Sequence, residues 1–283
     1  MPESRSFRFD GPHGRPICAD LTLPDSDRMG PVVIFVHGFK GFKDWGAWPR
    51  IGERIARAGH PFLRFNFSHN GTTPEQPQAF ADPEAFGRNT FSKELDDLGA
   101  VIDGVTSGEW APSLTGRPLA LIGHSRGGGI VLLKAGEDDR VTRVITWAGV
   151  SEFGRFWDRD TMAKWEREGI HHVINARTGE TLPLYWDLYA DYAANPDRLH
   201  IPSVAARLSV PVLILHGDAD PVVPVAMAEE LAAIIPDARL VRIPDADHTF
   251  AMRHPWTDAA LPAPAEAVLR ETLAFLNARP TTG

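Results

Sequence analysis

Residues 118–135 read PLALIGHSRGGGIVLLKA. The run up to Gly123 is continuously apolar, as in a strand buried on both faces of a sheet, and the run from Ile130 is typical of a helix. Between them, Ser125 has a glycine two positions before it and another two positions after it. A serine on a sharp turn between strand and helix needs both glycines, because the crowded backbone leaves no room for a Cβ there. The stretch therefore predicts an α/β fold from which the hydroxyl of Ser125 projects.

The same alternation of strand and helix runs through most of the chain. Apolar runs that indicate strands lie at 31–37, 61–67, 118–123, 141–147, 211–216 and 238–243, and helical patterns lie at 45–58, 94–105, 127–135, 225–235 and 265–278. Strands separated by helices are typical of a mostly parallel, doubly wound sheet. Segments 5–9 and 17–23 flank a Gly-Pro-His-Gly turn, which predicts an antiparallel hairpin at the edge of that sheet.

Residues 151–203 interrupt this pattern, because they contain no convincing parallel strand and hold all three tyrosines of the chain. Leu184, Leu188 and Tyr192 would share one face of a helix. We therefore predict a helical lid inserted into a single domain that spans residues 1–283. The aromatic stripe either packs only on the body of the protein or also lines a substrate pocket. The second interpretation gives three candidate substrate-binding residues: Trp157, Tyr185 and Tyr189.

The charge balance and the apolar runs exclude several classes of protein. The 283 residues include 29 Lys and Arg against 37 Asp and Glu, and the scattered basic residues form no patch for nucleic acid. The single cysteine, Cys18, can form no internal disulfide and offers no zinc cluster. The sequence begins without the apolar segment of a signal peptide, and its longest apolar runs are too short to cross a membrane. We therefore expect a cytoplasmic protein with no nucleic-acid or membrane partner, and leave a homodimer open.

A serine hydroxyl is a weak nucleophile near neutral pH, so it needs a base and an acid that orients the base. His248 follows the last predicted strand, and Asp218 and Asp220 follow the strand before it. Both loops lie beyond the carboxyl ends of strands, where open α/β sheets place their sites. The chain order Ser125, Asp220, His248 is the one expected for a serine nucleophile on such a turn, and Asp218 is a second carboxylate that could reach the base.

The segment VHGFKG, residues 36–41, ends the first long strand and enters a loop. An oxyanion hole needs backbone N–H groups aimed at the negative charge that develops in the reaction, and Gly38 lets the chain turn closely. The N–H of Phe39 and the N–H of Arg126, directly after the serine, are the expected pair of donors.

Together these motifs resemble the α/β-hydrolase superfamily: HGF at 37–39, GHSRGG at 123–128, HGDADPVVP at 216–224 and Asp-His at 247–248. Within it they are most similar to the branch of cinnamoyl or feruloyl esterases, dienelactone-hydrolase-like proteins and prolyl-oligopeptidase-type catalytic domains. The resemblance covers almost the whole chain, places the acid at Asp220 and implies an insertion where residues 151–203 lie. Two departures from the family pattern make lactone hydrolysis and oligopeptide cleavage less favoured as predicted activities. Dienelactone hydrolases use Cys where this chain has Ser125, and the N-terminal propeller of the oligopeptidases is absent here.

The resemblance and the motifs predict a serine carboxylesterase for small to medium esters, aromatic ones included, that works through an acyl-enzyme. The expected partner is a small-molecule ester. We expect no metal, because His171-His172 lacks a third ligand in metal spacing, and no cofactor, because the phosphate-binding glycine patterns are absent. Two alternatives stay open: a small serine peptidase or aminoacyl hydrolase with the same triad, and a non-catalytic ligand receptor with this fold.

Overall fold

The computed structural model describes residues 2–26 and 29–278. Its strands are β1 (Glu3–Asp10), β2 (Pro16–Leu23), β3 (Val32–Val36), β4 (Phe62–Asn66), β5 (Leu119–His124), β6 (Val141–Trp147), β7 (Ile170–Ile174), β8 (Thr181–Tyr185), β9 (Val212–Gly217) and β10 (Ala238–Ile243). Its helices are α1 (Trp48–Arg57), α2 (Pro83–Gly87), α3 (Phe91–Thr106), α4 (Arg126–Glu137), α5 (Arg159–Glu168), α6 (Asp187–Ala194), α7 (Ile201–Ala205), α8 (Val225–Ile234) and α9 (Ala263–Asn277).

Eight strands form one sheet in the order β1-β2-β4-β3-β5-β6-β9-β10. β1 pairs antiparallel with β2, and β2 pairs antiparallel with β4, whereas every later pair from β4 to β10 is parallel. This confirms the predicted α/β fold with an antiparallel hairpin at one edge. Within the described ranges, no helix is both long enough and apolar enough to cross a membrane.

Both faces of the sheet are covered by helices, which explains why its central strands are continuously apolar. Along β3, Val33 and Phe35 contribute to the core that α1 and α9 cover, while Val32, Ile34 and Val36 contribute to the core under α3 and α4. Because side chains alternate between the faces of a strand, a strand between two helical layers must be apolar at every position. Because β3, β5, β6 and β9 run parallel, the carboxyl ends of β3, β5 and β9 lie along one edge of a sheet that is buried on both faces.

The insertion at residues 151–203 contains a β-hairpin as well as helices, so the prediction of a purely helical lid is wrong in this part. β7 and β8 pair antiparallel in a separate two-stranded sheet. Leu184 and Tyr185 lie in β8, whereas Leu188, Tyr189 and Tyr192 lie on α6, so no single helical face carries them all. The four-residue spacing of 184, 188 and 192 suggested a helix, but Leu182 and Leu184 are buried with the two-residue period of a strand.

Candidate active site

Ser125 occupies the turn between β5 and α4 and has the backbone conformation that the motif predicts. Its φ of 57° and ψ of −122° lie in a region that residues with a side chain rarely adopt. A Cβ added at Gly123 would collide with the carbonyl oxygen of Gly127, and one added at Gly127 would collide with the carbonyl oxygen of Val36. Both glycines are therefore required for α4 to begin directly after the serine.

The loop after β3 lies directly against Ser125. A Cβ built on Gly38 would lie only 2.8 Å from the Cβ of Ser125 and 3.3 Å from its Oγ, so only glycine fits this approach. Arg126 is the first residue of α4, and the first N–H groups of a helix have no partner within it. In the described part of the chain neither the N–H of Phe39 nor that of Arg126 donates a hydrogen bond. Both N–H groups are therefore available as donors, which the predicted oxyanion hole requires.

Asp220 and His248 are in direct contact, with 2.8 Å between Asp220 Oδ2 and His248 Nδ1. Because an ionised carboxylate only accepts, Nδ1 carries the proton and Nε2 of the neutral ring is the acceptor that a base needs. Asp220 Oδ1 accepts the backbone N–H groups of Val222 and Val223. Burial by itself raises the pKa of Asp220, but hydrogen bonds from His216 and His248 outweigh it and hold that pKa well below its usual range. The carboxylate is therefore ionised and firmly held.

The structure brings Asp220, and not Asp218, to His248. Asp218 Oδ1 instead accepts the backbone N–H of Asp245 at 2.7 Å, which ties the loop after β9 to the loop after β10. His216, the other polar group beside Asp220, has its Nε2 2.9 Å from the carbonyl oxygen of Val223 and 3.4 Å from Asp220 Oδ2. The second carboxylate left open by the sequence is thus a loop support.

Ser125 and His248 lie on neighbouring segments that a third residue joins. His124, directly before the serine, has its Nε2 2.9 Å from the backbone carbonyl oxygen of His248, and the two imidazole rings lie 4.9 Å apart. Among the described residues, the Ser125 hydroxyl itself makes no hydrogen bond to the His248 ring. Contacts between nucleophile and base are often long before substrate binds. The motif gave no sign of the link through His124, because its partner is a backbone atom 124 residues away.

The side chain of Arg126 forms a buried ion pair that the sequence analysis missed. Its Nη2 lies 2.8 Å from Oε1 of Glu94, which is 2% exposed, and its guanidinium lies 4.5 Å from the ring centre of Phe39 and 5.6 Å from that of Phe91. Asn89 Nδ2 donates to the same Glu94 oxygen at 2.7 Å. Burial raises the pKa of Glu94, and Arg126 opposes that rise. One feature of the sequence could have indicated this pair: Glu94 lies on the apolar face of α3, where a charge without a partner is costly.

A small cavity opens beside this pair and is bounded by the loop after β3, by α2, by Arg126 and by the insertion. Its lining residues are His37, Gly38, Phe39, Lys40, Gly41, Asn70, Phe86, Asn89, Arg126, Leu184 and Leu188. Within the described residues, no cluster of three or more His, Cys, Asp or Glu could hold a metal ion. Among the described residues, the insertion contributes two leucines to this lining, Leu184 and Leu188.

The three aromatic residues predicted to bind substrate lie elsewhere. Trp157 packs in T-shaped contacts 5.9 Å from Trp165 and 5.7 Å from Tyr189, inside the insertion. The hydroxyl of Tyr185 donates to Glu84 at 2.6 Å, and the guanidinium of Arg88 lies 4.6 Å from the Tyr185 ring centre. These contacts hold the insertion together and attach it to α2. None of the three aromatic residues lines the small cavity next to the Arg126–Glu94 pair.

A strained serine at the end of β5, a His–Asp pair on the loops after β9 and β10 and an eight-stranded, mostly parallel sheet together define an α/β hydrolase. The chain belongs to the alpha/beta hydrolase family, whose family model matches residues 33–260. This confirms the superfamily that the sequence motifs indicated.

Individual relatives are distant but cover most of the chain. A non-heme chloroperoxidase, CPO-A1 of Kitasatospora aureofaciens, is 24% identical over 88% of this chain and 93% of its own length. A monoacylglycerol lipase of Mycolicibacterium smegmatis is 25% identical over 77% of this chain and 80% of its own length. Among solved structures, Est1E of Butyrivibrio proteoclasticus with ferulic acid bound superposes with a TM-score of 0.70 at 22% identity, covering 95% of this chain and 97% of that one. The similarity supports a hydrolase, and the structural match shows the shared fold.

Proposed function

We propose that the protein is a serine carboxylesterase that cleaves small to medium carboxylic esters through an acyl-enzyme. The observation that carries this proposal is the 2.8 Å contact between Asp220 and His248 beside a serine in a strained turn. An ionised carboxylate on Nδ1 fixes the tautomer whose Nε2 can take a proton from a hydroxyl. The proposed chemistry needs no cofactor.

In the proposed reaction, Ser125 Oγ attacks the ester carbonyl carbon as His248 removes the hydroxyl proton. The carbonyl oxygen becomes an oxyanion, which the N–H groups of Phe39 and Arg126 stabilise. His248 then gives its proton to the oxygen of the leaving alcohol, and Asp220 stabilises the imidazolium in between. Water, deprotonated by His248, attacks the acyl-serine in the same way and releases the acid.

The test is to label the protein with a fluorophosphonate and to locate the label by mass spectrometry, with hydrolysis of p-nitrophenyl esters and p-nitroanilides measured in parallel. We expect the label on Ser125, and loss of label and esterase activity in Ser125→Ala. Ser68→Ala is the matched control, because Ser68 Oγ also lies 2.8 Å from a histidine nitrogen, Nδ1 of His69. Label on Ser68, or anilide cleavage without ester cleavage, would contradict the carboxylesterase proposal.

Three parts of the sequence-based interpretation stay predictions: a single domain with an insertion at residues 151–203, a cytoplasmic location without nucleic-acid or membrane partner, and a homodimer as an assembly left open. The proposed carboxylesterase does not depend on them.

A further inference from the structure

The two residues that would supply the oxyanion donors are in contact through a side chain. Cζ of Arg126 lies 4.5 Å from the ring centre of Phe39, so the residue directly after Ser125 contacts the loop after β3. A guanidinium over an aromatic face is attracted to it, and more strongly where water is excluded. The contact therefore ties together the two backbone segments from which one N–H each is expected.

Glu94, on α3, holds this guanidinium in place. Its Oε1 accepts from Arg126 Nη2 at 2.8 Å and from Asn89 Nδ2 at 2.7 Å, so a second donor orients the carboxylate itself. The Glu94 side chain is buried, and that of Arg126 is only 15% exposed. Charge-assisted hydrogen bonds are strong and directional, so the Arg126–Glu94 pair leaves the guanidinium little freedom to move away from the Phe39 ring.

The aromatic rings that contact the guanidinium are themselves packed. Cζ of Arg126 also lies 5.6 Å from the ring centre of Phe91, which stacks on Phe153 with ring centres 3.9 Å apart. The ring of Phe39 lies 5.5 Å from that of Phe86. Because close-packed side chains move only together, a shift of the guanidinium would disturb this whole aromatic cluster.

The Arg126–Glu94 pair is a costly way to fill buried space. Among the described residues, Oε2 of Glu94 and Nε of Arg126 have no hydrogen-bond partner, so each charged group has lost water without full replacement. Apolar side chains of similar volume often stabilise a protein as well as a buried ion pair does, or better. Stability is therefore a weak reason for this pair, and a fixed geometry beside the nucleophile is a stronger one.

The backbone at this point needs support from outside. Ser125 has a φ of 57°, a strained conformation that persists only where the surrounding structure holds it. Arg126 follows as the first residue of α4. The loop after β3 passes so close that a Cβ on Gly38 would lie 2.8 Å from that of Ser125. A small change in either segment would therefore alter the spacing between them.

We propose that Glu94 is a positioning residue for the oxyanion hole: through the Arg126 guanidinium it fixes the spacing between the N–H groups of Phe39 and Arg126. This role rests on the proposed function. Donors stabilise an oxyanion best when they need not move as its charge develops. Loss of the pair should therefore slow the reaction and leave the binding of the uncharged ester nearly unchanged.

The test is the double variant Glu94→Leu/Arg126→Met, which removes both charges and keeps the backbone N–H at position 126. We expect a folded protein, because apolar replacement of a buried ion pair is often neutral for stability. With one p-nitrophenyl ester, kcat should fall about tenfold or more, because displaced donors stabilise the transition state less. KM should stay within about threefold, because the ester itself carries no oxyanion.

A trifluoromethyl ketone distinguishes displaced donors from a general loss of structure. In its adduct the Oγ of Ser125 bonds to the ketone carbon, the ketone oxygen becomes an oxyanion and His248 keeps the serine proton. The inhibition constant of this ketone should rise by about the factor by which kcat/KM falls, because the adduct and the transition state depend on the same N–H groups. The pH at which kcat/KM is half-maximal should not move, because the base is untouched.

Lys134→Met is the matched control. Lys134 is buried on the same helix, and its partner Glu137 keeps Arg198 as a second cation. This variant should leave kcat, KM and the inhibition constant unchanged.

If the double variant does not fold, Arg126→Lys decides the question. Lysine keeps a positive charge for Glu94 but lacks the flat guanidinium that contacts Phe39. We expect a lower kcat and a higher inhibition constant there too, and unchanged values would contradict the role of Glu94.

A folded double variant with the kcat of the unaltered protein overturns this inference and leaves the proposed esterase standing. A lower kcat with an unchanged inhibition constant also overturns it, since the donors would then still be in place. If the unaltered protein cleaves no ester and fluorophosphonate does not label Ser125, the proposed function fails and the inference fails with it.

Discussion

The imidazole Nε2 of His124 donates a hydrogen bond to the backbone carbonyl oxygen of His248, across 2.9 Å. Since a carbonyl can only accept, this contact fixes the tautomer of His124. Burial, with the nearby His248 ring as a second cause, lowers the pKa of His124 to about 3. His124 therefore stays neutral when His248 takes up a proton. Its hydrogen bond holds the loop that carries His248, the proposed base, against the end of β5, where the proposed nucleophile Ser125 follows.

We expect His124→Phe to lower kcat about tenfold or more with little change in KM, because a small displacement of the base from the serine is costly to the reaction and not to substrate binding. His124→Gln keeps a side-chain N–H donor and should recover part of the loss. Steady-state kinetics and thermal melting of both variants check this. A kcat in His124→Phe equal to that of the unaltered protein would show that the contact does not position His248.

Ser125→Ala and His248→Ala should each lower kcat by about 10⁴-fold or more, and the double variant should be little worse, because nucleophile and base act as one unit. Both residues are only half-buried and lie outside the hydrophobic core, so we expect folded proteins with unchanged circular dichroism spectra. The measurement is kcat for the three variants with one ester. Losses that multiply in the double variant would mean that the two side chains act in separate steps.

Asp220→Asn and Asp218→Asn should distinguish the roles of the two carboxylates on the loop after β9. An amide at position 220 can hold His248 in the wrong tautomer and cannot stabilise the imidazolium, so we expect kcat to fall about 10³–10⁴-fold. Asp218 makes a loop hydrogen bond, and its replacement should cost only about 0.5–1.5 kcal/mol of unfolding free energy, with kcat within about tenfold. Urea unfolding and kinetics on both variants are the check. An inactive Asp218→Asn beside an active Asp220→Asn would contradict the assignment.

Asp97 should make the stability of the protein depend on pH. It is fully buried, its Oδ2 accepts the Ser68 N–H at 2.7 Å, and burial raises its pKa from 3.8 to about 7 although hydrogen bonds from Ser68 oppose the rise. Between these values the folded protein holds a proton that the unfolded chain releases, so the stabilisation is complete below about pH 4 and is lost as the pH rises through 7.

Asp97→Asn removes this titration. Relative to the variant, the unaltered protein should lose roughly 1.4 kcal/mol of unfolding free energy per pH unit across that window. Urea unfolding of both proteins from pH 4 to 8 measures the difference. A difference that stays constant with pH would mean that Asp97 is ionised throughout.

Most of the fold could be predicted from local pattern, because strands buried on both faces must be apolar at every position and helices between them show their own period. All eight strands of the main sheet match predicted runs. The hairpin of the insertion could not be predicted in this way. Its strand Thr181–Tyr185 is short, and Leu184 also fits a helical spacing with Leu188 and Tyr192. Only pairing with Ile170–Ile174 decides between strand and helix.

For the site, the sequence by itself determined what the backbone demands: the glycines around Ser125, the glycine of the loop after β3, and a His and an Asp on loops at one sheet edge. It could not determine which atoms meet across the fold. The contact of Asp220 with His248, which the family resemblance implied, is seen in the tertiary structure. Two other contacts were decided only there: the link from His124 to a distant carbonyl, and the sharing of one Glu94 oxygen by Arg126 and Asn89. The physical reason is that local steric limits depend on residues that are neighbours in the sequence. A hydrogen bond between distant segments instead depends on ångström-scale positions, which the packing of the whole sheet sets.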